Sequence, residues 1–412
     1  METEQQEDHA AAVENSLATP ASLSALERMP TEIILLILSE FHFHDDISTV
    51  TLVSKRLRSV LFTRLFKTLT FHGSLKKLAH DMKSFLSGEF KDLMMAIFST
   101  LKSVTIRFKP YSCAEEHNDA HLSKHRIAVI SEFISKLSSI DLISFDNRIK
   151  DEIDFTEGLV NQPKWNGPKA VTFCGRRNRL IFNTLINQFT PNTVKAVQLP
   201  RQTTKRHYLA LKLAFPLLKG LKADLSSFKS RSRTLVCMSS DILQRIDLEF
   251  PHLQALIFDQ LNVHTFRASG KRVFKKLHLP NLNEHIEKLI TQLKSMPQLR
   301  RFAFTLQESW LCAEYDCRSF YKRSSSSSDA AETTPESNKW PYWLPADTEQ
   351  QWWSELITRI LEAVPQLKEL CIVHSDSKYH RGTKTDSIVT VCQEKTSLSQ
   401  KPIPIPLCFG GY

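Results

Sequence analysis

Glycine is scarce in this chain, ten residues in 412. Neither Gly-x-x-x-x-Gly-Lys nor Gly-x-Gly-x-x-Gly occurs, so the loops that cradle nucleotide phosphates are missing. Gly-x-Ser-x-Gly, the setting of an exposed nucleophilic serine, is also lacking. Long hydrophobic runs are missing too. Ile33 to Leu38 is a fragment of the roughly 18 apolar residues that a membrane span needs. Eight cysteines lie at 113, 174, 237, 312, 317, 371, 392 and 408, never as Cys-x-x-Cys, which argues against a secreted disulfide framework. Cys312 and Cys317 have no second pair with which to hold zinc. Asn-x-Ser/Thr does not occur, and the first residues lack a basic flank followed by an apolar stretch, so no secretory signal is expected. His42, His44, Asp45 and Asp46 crowd together, but no further ligand pattern such as His-Glu-x-x-His accompanies them. The reading is a protein with free thiols in a reducing compartment, cytoplasmic and/or nuclear. It has no membrane segment, no metal, no cofactor and no catalytic residues, and so is not an enzyme.

Charge is plentiful and uneven. The net charge is +10, yet residues 1 to 28 hold six acids and one arginine, a net of −5, which leaves +15 on the remainder. Residues 1–25 read as a disordered acidic tail. The basic excess is spread as pairs such as Lys205-Arg206, Lys275-Lys276 and Arg300-Arg301. Such a surface attracts acidic or phosphorylated protein segments, or nucleic acid. Aromatics are not interleaved with these pairs, so base stacking, and with it nucleic acid, is not the expected partner.

Residues 26–71 carry three short helical patterns with more apolar side chains than about 45 residues can hide by themselves. Pro30 suits a first helical turn. Ile33, Leu36, Ile37 and Phe41 follow at helical spacing, and Ile34, Leu35 and Leu38 widen the stripe until the helix is apolar nearly all round. Asp45 and Asp46 offer caps for a second helix carrying Ile47, Val50, Leu52 and Val53. Ser54 offers one for a third, with Leu57, Val60 and Leu61 opposite Lys55, Arg56 and Arg58.

This segment resembles an F-box, the module that joins a substrate receptor to the Skp-type adaptor of an SCF cullin-RING ubiquitin ligase. The resemblance rests on Met29-Pro-Thr-Glu-Ile33, the Ile37-Leu38 pair, the acidic turn at 45–46 and Leu52-Val-Ser-Lys-Arg-Leu-Arg58. It closes on Leu65-Phe-Lys-Thr-Leu-Thr-Phe71, in the form common in fungal members. Met29 stands where the family has Leu and Phe66 where it has Trp, and both keep bulk and apolarity. The resemblance implies an adaptor-binding surface of Met29, Pro30, Ile33, Ile37, Leu38, Phe41, Leu52, Val53, Ser54, Leu57, Leu61 and Phe66, with Lys55, Arg56 and Arg58 as rim charge. It also implies a cullin reached through the adaptor, and ligation chemistry supplied by other subunits.

Behind it, four segments share one pattern: Pro216-Leu-Leu-Lys-Gly-Leu, Pro251-His-Leu-Gln-Ala-Leu, Pro297-Gln-Leu-Arg-Arg-Phe and Pro365-Gln-Leu-Lys-Glu-Leu. Looser copies span Leu101 to Phe108, Val194 to Leu199 and Phe274 to Leu279. Each reads as a turn into a short strand, and amphipathic helices over 286–296 and 353–364 stop just before a proline. Helix, turn, strand and helix again is the unit of a parallel solenoid. The Leu-x-x-Leu-x-apolar step resembles the leucine-rich repeat, which F-box receptors often carry, although the consensus Asn after the strand is lacking and the spacing is regular only near 253–299.

The expected architecture is α/β overall. A three-helix F-box precedes an irregular leucine-rich-repeat-like α/β solenoid with short parallel strands over 75–306 and 340–375. A disordered Ser-rich insertion at 318–339 carries Thr334-Pro335 as a candidate phosphorylation site, and 376–412 reads as a poorly ordered tail. Trp340, Tyr342, Trp343, Trp352 and Trp353 read as a buried cap on the last repeat in preference to a binding surface. A receptor for an unknown protein substrate is the leading functional reading. A non-degradative F-box scaffold is the alternative, and a basic nucleic-acid binder ranks below both.

Overall fold

In the computed structural model a strand begins four residues after each of the prolines at 216, 251, 297 and 365. The structure describes residues 28–39, 49, 52, 54–87, 91–109, 120–138, 140–147, 155–175, 179–200, 203–224, 240–259, 265–266, 272–273, 277–306, 311–312, 346–373 and 378–395. The chain divides into two units, Met1–Lys67 and Thr68–Tyr412.

Two helices are described in the first unit, α1 (Thr31–Ser39) and α2 (Lys55–Leu65). Pro30 directly precedes α1, and its carbonyl accepts hydrogen bonds from the amides of Ile33 and Ile34, both at 3.1 Å. Ser54 caps α2, its hydroxyl accepting from the amides of Arg56 (3.1 Å) and Leu57 (3.4 Å). Of the expected second helix only Thr49 and Leu52, both helical, lie within the described residues.

The second unit opens with β1 (Thr68–Gly73), α3 (Leu75–Leu86), α4 (Lys91–Thr100), β2 (Ser103–Phe108), α5 (Ala120–Ser135), β3 (Leu142–Asn147), α6 (Thr156–Leu159) and β4 (Ala170–Gly175). It continues with α7 (Arg179–Ile186), β5 (Ala196–Gln198), α8 (Lys205–Ala214), β6 (Gly220–Asp224), α9 (Ser240–Glu249) and β7 (Ala255–Asp259). Three two-residue strands, β8 (Thr265–Phe266), β9 (Arg272–Val273) and β10 (Leu277–His278), lead to α10 (Leu279–Lys294). Last come β11 (Arg301–Thr305), β12 (Leu311–Cys312), α11 (Ala346–Ala363), β13 (Glu369–Val373), β14 (Lys378–Thr385) and β15 (Ile388–Lys395).

Eleven of these strands form one open sheet in the order β1-β2-β3-β4-β5-β6-β7-β11-β13-β14-β15. Every neighbour from β1 to β13 is parallel, and β14 and β15 close the array antiparallel. The fold is therefore mixed α/β with a mostly parallel sheet grown one strand at a time. Parallel neighbours need a crossover, and the helices supply it. Register puts Val104, Ile143, Val171, Val197, Leu221, Leu256, Phe302 and Leu370 in one row across the sheet. All are buried in a single core with Leu78 of α3, Ile130 of α5, Leu185 of α7, Leu211 of α8, Ile246 of α9, Leu289 of α10 and Ile360 of α11. The helices thus cover one face of the sheet.

Three expectations are corrected. Residues 68–71, read as the end of the F-box, form most of β1 and belong to the sheet unit. Of the segment at Phe274 to Leu279, residues 274–276 lie outside the described residues, Leu277 and His278 form a strand that pairs with β12 apart from the main sheet, and Leu279 is helical. Within the tail at 376–412, residues 378–395 form the β14–β15 hairpin, turning at Asp386 (φ 48°) and Ser387 (φ 73°). Two central residues with positive φ give the turn whose twist matches a two-residue hairpin. The acidic tail at 1–25, the insertion at 318–339 and residues 396–412 lie outside the described residues.

Candidate functional site

Among its described residues the first unit closes a small core. Ile34 of α1 meets Leu57 and Leu61 of α2, all three fully buried, with Met29, Val60 and Leu65 packed around them. The Arg56 guanidinium donates to the Met29 carbonyl at 2.7 Å and so ties α2 to the entry of α1. Phe62 and Phe66 stack obliquely at 4.7 Å, with the Phe66 amide bonded to the Phe62 carbonyl.

What surrounds this core is apolar and open to solvent. Ile33 is 43% exposed, Leu36 66%, Ile37 40% and Leu52 74%, with Leu35 also exposed. Isolated exposed aliphatics are unremarkable, but four on one nine-residue helix form a patch of the kind that marks an interaction surface.

The expected adaptor residues divide accordingly. Ile33, Ile37 and Leu52 are exposed and available, as is Pro30, whereas Met29 and Phe66 are half-buried. Leu57 and Leu61 belong to the small core instead, and the Ser54 hydroxyl is occupied as a cap. Those three hold the site up without lining it. Arg56 is engaged with Met29 instead of standing free at the rim. The Leu38 side chain, Phe41 and Val53 lie outside the described residues. Leu35 and Leu36 join the exposed face although the resemblance did not select them. Their signal was the unbroken apolar run from Ile33 to Leu38, which leaves no polar side on α1.

The second unit offers the sheet face that the helices leave uncovered. Register aligns Thr105, Ser144, Thr172, Gln198 and Lys222 along it, all polar. Arg107 Nε donates to Asp146 Oδ2 at 2.7 Å across β2 and β3. Toward the other end Glu369 accepts from Arg381 Nε at 2.9 Å and lies 3.4 Å from Arg301 Nε, joining β11, β13 and β14. Beyond Lys222 the same face turns apolar, with Ala255, Ile257, Ala303, Cys371, Val373 and Tyr379 forming a second buried cluster. Trp353 is buried and stacks on His380 at 5.8 Å, and Trp352 packs edge-on to it at 4.6 Å. Trp340, Tyr342 and Trp343 lie outside the described residues.

No convergence of reactive groups appears among the described residues, where no three His, Cys, Asp or Glu side chains could share a metal ion. Burial raises the carboxyl pKa of Asp247 and of Glu249, the latter opposed by Arg245 and Lys212. Burial lowers the imidazole pKa of His285, with Lys288 acting in the same direction. These groups are spread along α9 and α10. No helix among the described residues is long and apolar enough to cross a membrane. Comparison with protein-family models and with curated proteins finds no match to this chain.

Proposed function

We propose that the chain is the substrate-recognition subunit of an SCF cullin-RING ubiquitin ligase, binding a Skp-type adaptor through its first unit and a protein substrate through its second. One observation carries this reading. Ile34, Leu57 and Leu61 satisfy the core of the helical unit, yet Ile33, Leu36, Ile37 and Leu52 remain exposed in a segment with the ordered features of an F-box. The sheet unit closes a large core of its own, as a separately folded receptor module requires. Its nine parallel strands in chain order, four of them led in by Pro-x-Leu, support the finer reading of an irregular leucine-rich-repeat-like solenoid. Such a subunit performs no bond chemistry. It holds the substrate at high effective concentration near the ubiquitin carrier.

Co-purification of the full chain with a Skp-type adaptor tests the proposal. Ile37→Asp combined with Leu52→Asp would place two unpaired carboxylates in the interface, each costing a few kcal/mol. Adaptor recovery should fall at least a hundredfold, on the order of the 3 kcal/mol that this factor represents, while the exposed positions leave the fold intact. Failure to recover the adaptor with the natural sequence, or undiminished recovery with the double variant, would sink the assignment.

A further inference from the structure

One position recurs along the edge where the parallel strands begin. It directly precedes each strand, and its carbonyl accepts the opening amides of the next. Lys195 O receives Lys219 N and Gly220 N, both at 2.9 Å, and Lys219 O receives Gln254 N (2.7 Å) and Ala255 N (2.9 Å). Arg300 O receives Lys368 N (2.8 Å) and Glu369 N (3.1 Å) in the same way. Lys102 and Lys169 form matching rungs to the strands after them. Adjacent strands lie about 4.8 Å apart, so these side chains project at that interval from equivalent backbone positions.

Six of the eight positions from β2 to β13 are cationic: Lys102, Lys169, Lys195, Lys219, Arg300 and Lys368. The other two are Asp141, which pairs with the Lys169 ammonium at 2.8 Å, and Gln254. Arg300 donates to the carbonyls of Pro297 (2.8 Å) and Gln366 (3.3 Å), contacts that leave its charge uncancelled. The ammonium groups of Lys102, Lys195, Lys219 and Lys368 bond to nothing among the described residues, and all but the half-buried Lys219 are exposed. Helix carboxyl ends contribute at most about half a negative charge each and act within their own last turn, so they do not neutralise the row.

We propose that this basic edge binds an acidic polypeptide segment in extended conformation. Seven strand-to-strand steps of about 4.8 Å put Lys368 about 34 Å along the edge from Lys102, the reach of about ten residues of extended chain. A single-stranded nucleic acid would want exposed aromatic faces between the cations. Among the described residues the Trp and Phe rings in the turns at this edge, Trp165, Phe189, Phe215 and Phe250, are all buried, and the His252 imidazole is the one exposed aromatic ring there. The inference goes beyond the adaptor reading and does not depend on what α1 and α2 bind.

Fluorescence anisotropy of the full chain with a labelled peptide of about ten alternating glutamate and serine residues tests it. Binding should appear at low salt and weaken as salt rises. Lys195→Gln with Lys219→Gln should reduce it about tenfold, two exposed charge pairs within their usual worth. Arginine at both positions should retain binding. Lys83→Gln with Lys124→Gln, which removes two exposed charges from α3 and α5, should change it less than twofold. Absence of peptide binding by the natural sequence, or equal losses in the two glutamine pairs, would overturn the proposal. So would tighter binding of a thymidine oligonucleotide with the same dependence on Lys195 and Lys219.

Discussion

Gly382 decides whether the last hairpin can lie against the last helix. It sits on β14 opposite Leu370, on the face turned toward α11. A Cβ at this position would fall inside van der Waals contact with Ile357 Cγ2 and 2.8 Å from Leu361 Cδ1. Both side chains are fully buried, and a β-branched Ile in a helix has one strongly preferred χ1 in which to place that methyl. The clash in Gly382→Ala is therefore relieved only by moving α11 or peeling the hairpin away. Overpacking of this kind costs about 1–3 kcal/mol, and Ala recovers about 0.5–1 kcal/mol by restricting the unfolded chain, leaving a net loss of about 1–2 kcal/mol. Amide exchange over residues 378–395 reads this directly, because that loss corresponds to about 5- to 30-fold more opening. Ile357→Ala removes the offending methyl and by itself costs about 2–5 kcal/mol. The double variant should lose about 1–2 kcal/mol less than the sum of the two. Protection of the hairpin unchanged by Gly382→Ala, or additivity within about 0.5 kcal/mol, would refute the reasoning.

Two further outcomes are expected. Ser54→Ala removes the acceptor for the Arg56 and Leu57 amides, worth about 1 kcal/mol, so exchange over residues 55–65 should quicken about fivefold while Ser54→Thr stays near the natural rate. His285 is held below its ordinary pKa, first by burial and then by Lys288. The unfolded chain then binds more protons, so His285 contributes full stability above its unfolded pKa of about 6.5 and loses it as pH falls toward the lower folded value. Melting temperatures at pH 7.5 and 5.5 check this. The natural sequence should lose more stability between them than His285→Gln, and equal losses would remove His285 as a contributor.

The strands after Pro216, Pro251, Pro297 and Pro365 were legible because proline stops the preceding helix and the alternating residues after it have one buried face. The β14–β15 hairpin was not, for identifiable reasons. Its first strand, Lys378-Tyr-His-Arg-Gly-Thr-Lys-Thr, carries polar groups on both parities, and Asp386-Ser387 lacks the Asn-Gly signature of its turn type. His380 and Gly382 face the core for reasons written elsewhere in the chain, in Trp353 and Ile357. Phe274 to Leu279 shows the opposite failure, because alternation implies a strand without saying which sheet receives it. The row of basic residues at the strand starts was invisible as well, since its neighbouring members lie 24 to 81 residues apart and only register aligns them.

Helical periodicity in the first unit assigned directions to side chains but not destinations. Leu57 and Leu61 look no different in sequence from Leu52, and only the position of Ile34 draws two of them inward. The run Ile33 to Ile37 points apolar groups through every direction around α1, at about 100° per residue. Two inward leucines on α2 can cover one of those directions, and Ile34 occupies it. A helix with one apolar stripe and an opposite polar face would have completed this small core equally well. Leaving a Leu or Ile side chain about half exposed forgoes roughly 1 kcal/mol relative to full burial. Ile33, Leu36 and Ile37 together therefore withhold about 3 kcal/mol from the isolated chain, and a partner that covers α1 recovers it. The surplus is a stored capacity for association, and the adaptor contact proposed for this face gives it an occupant.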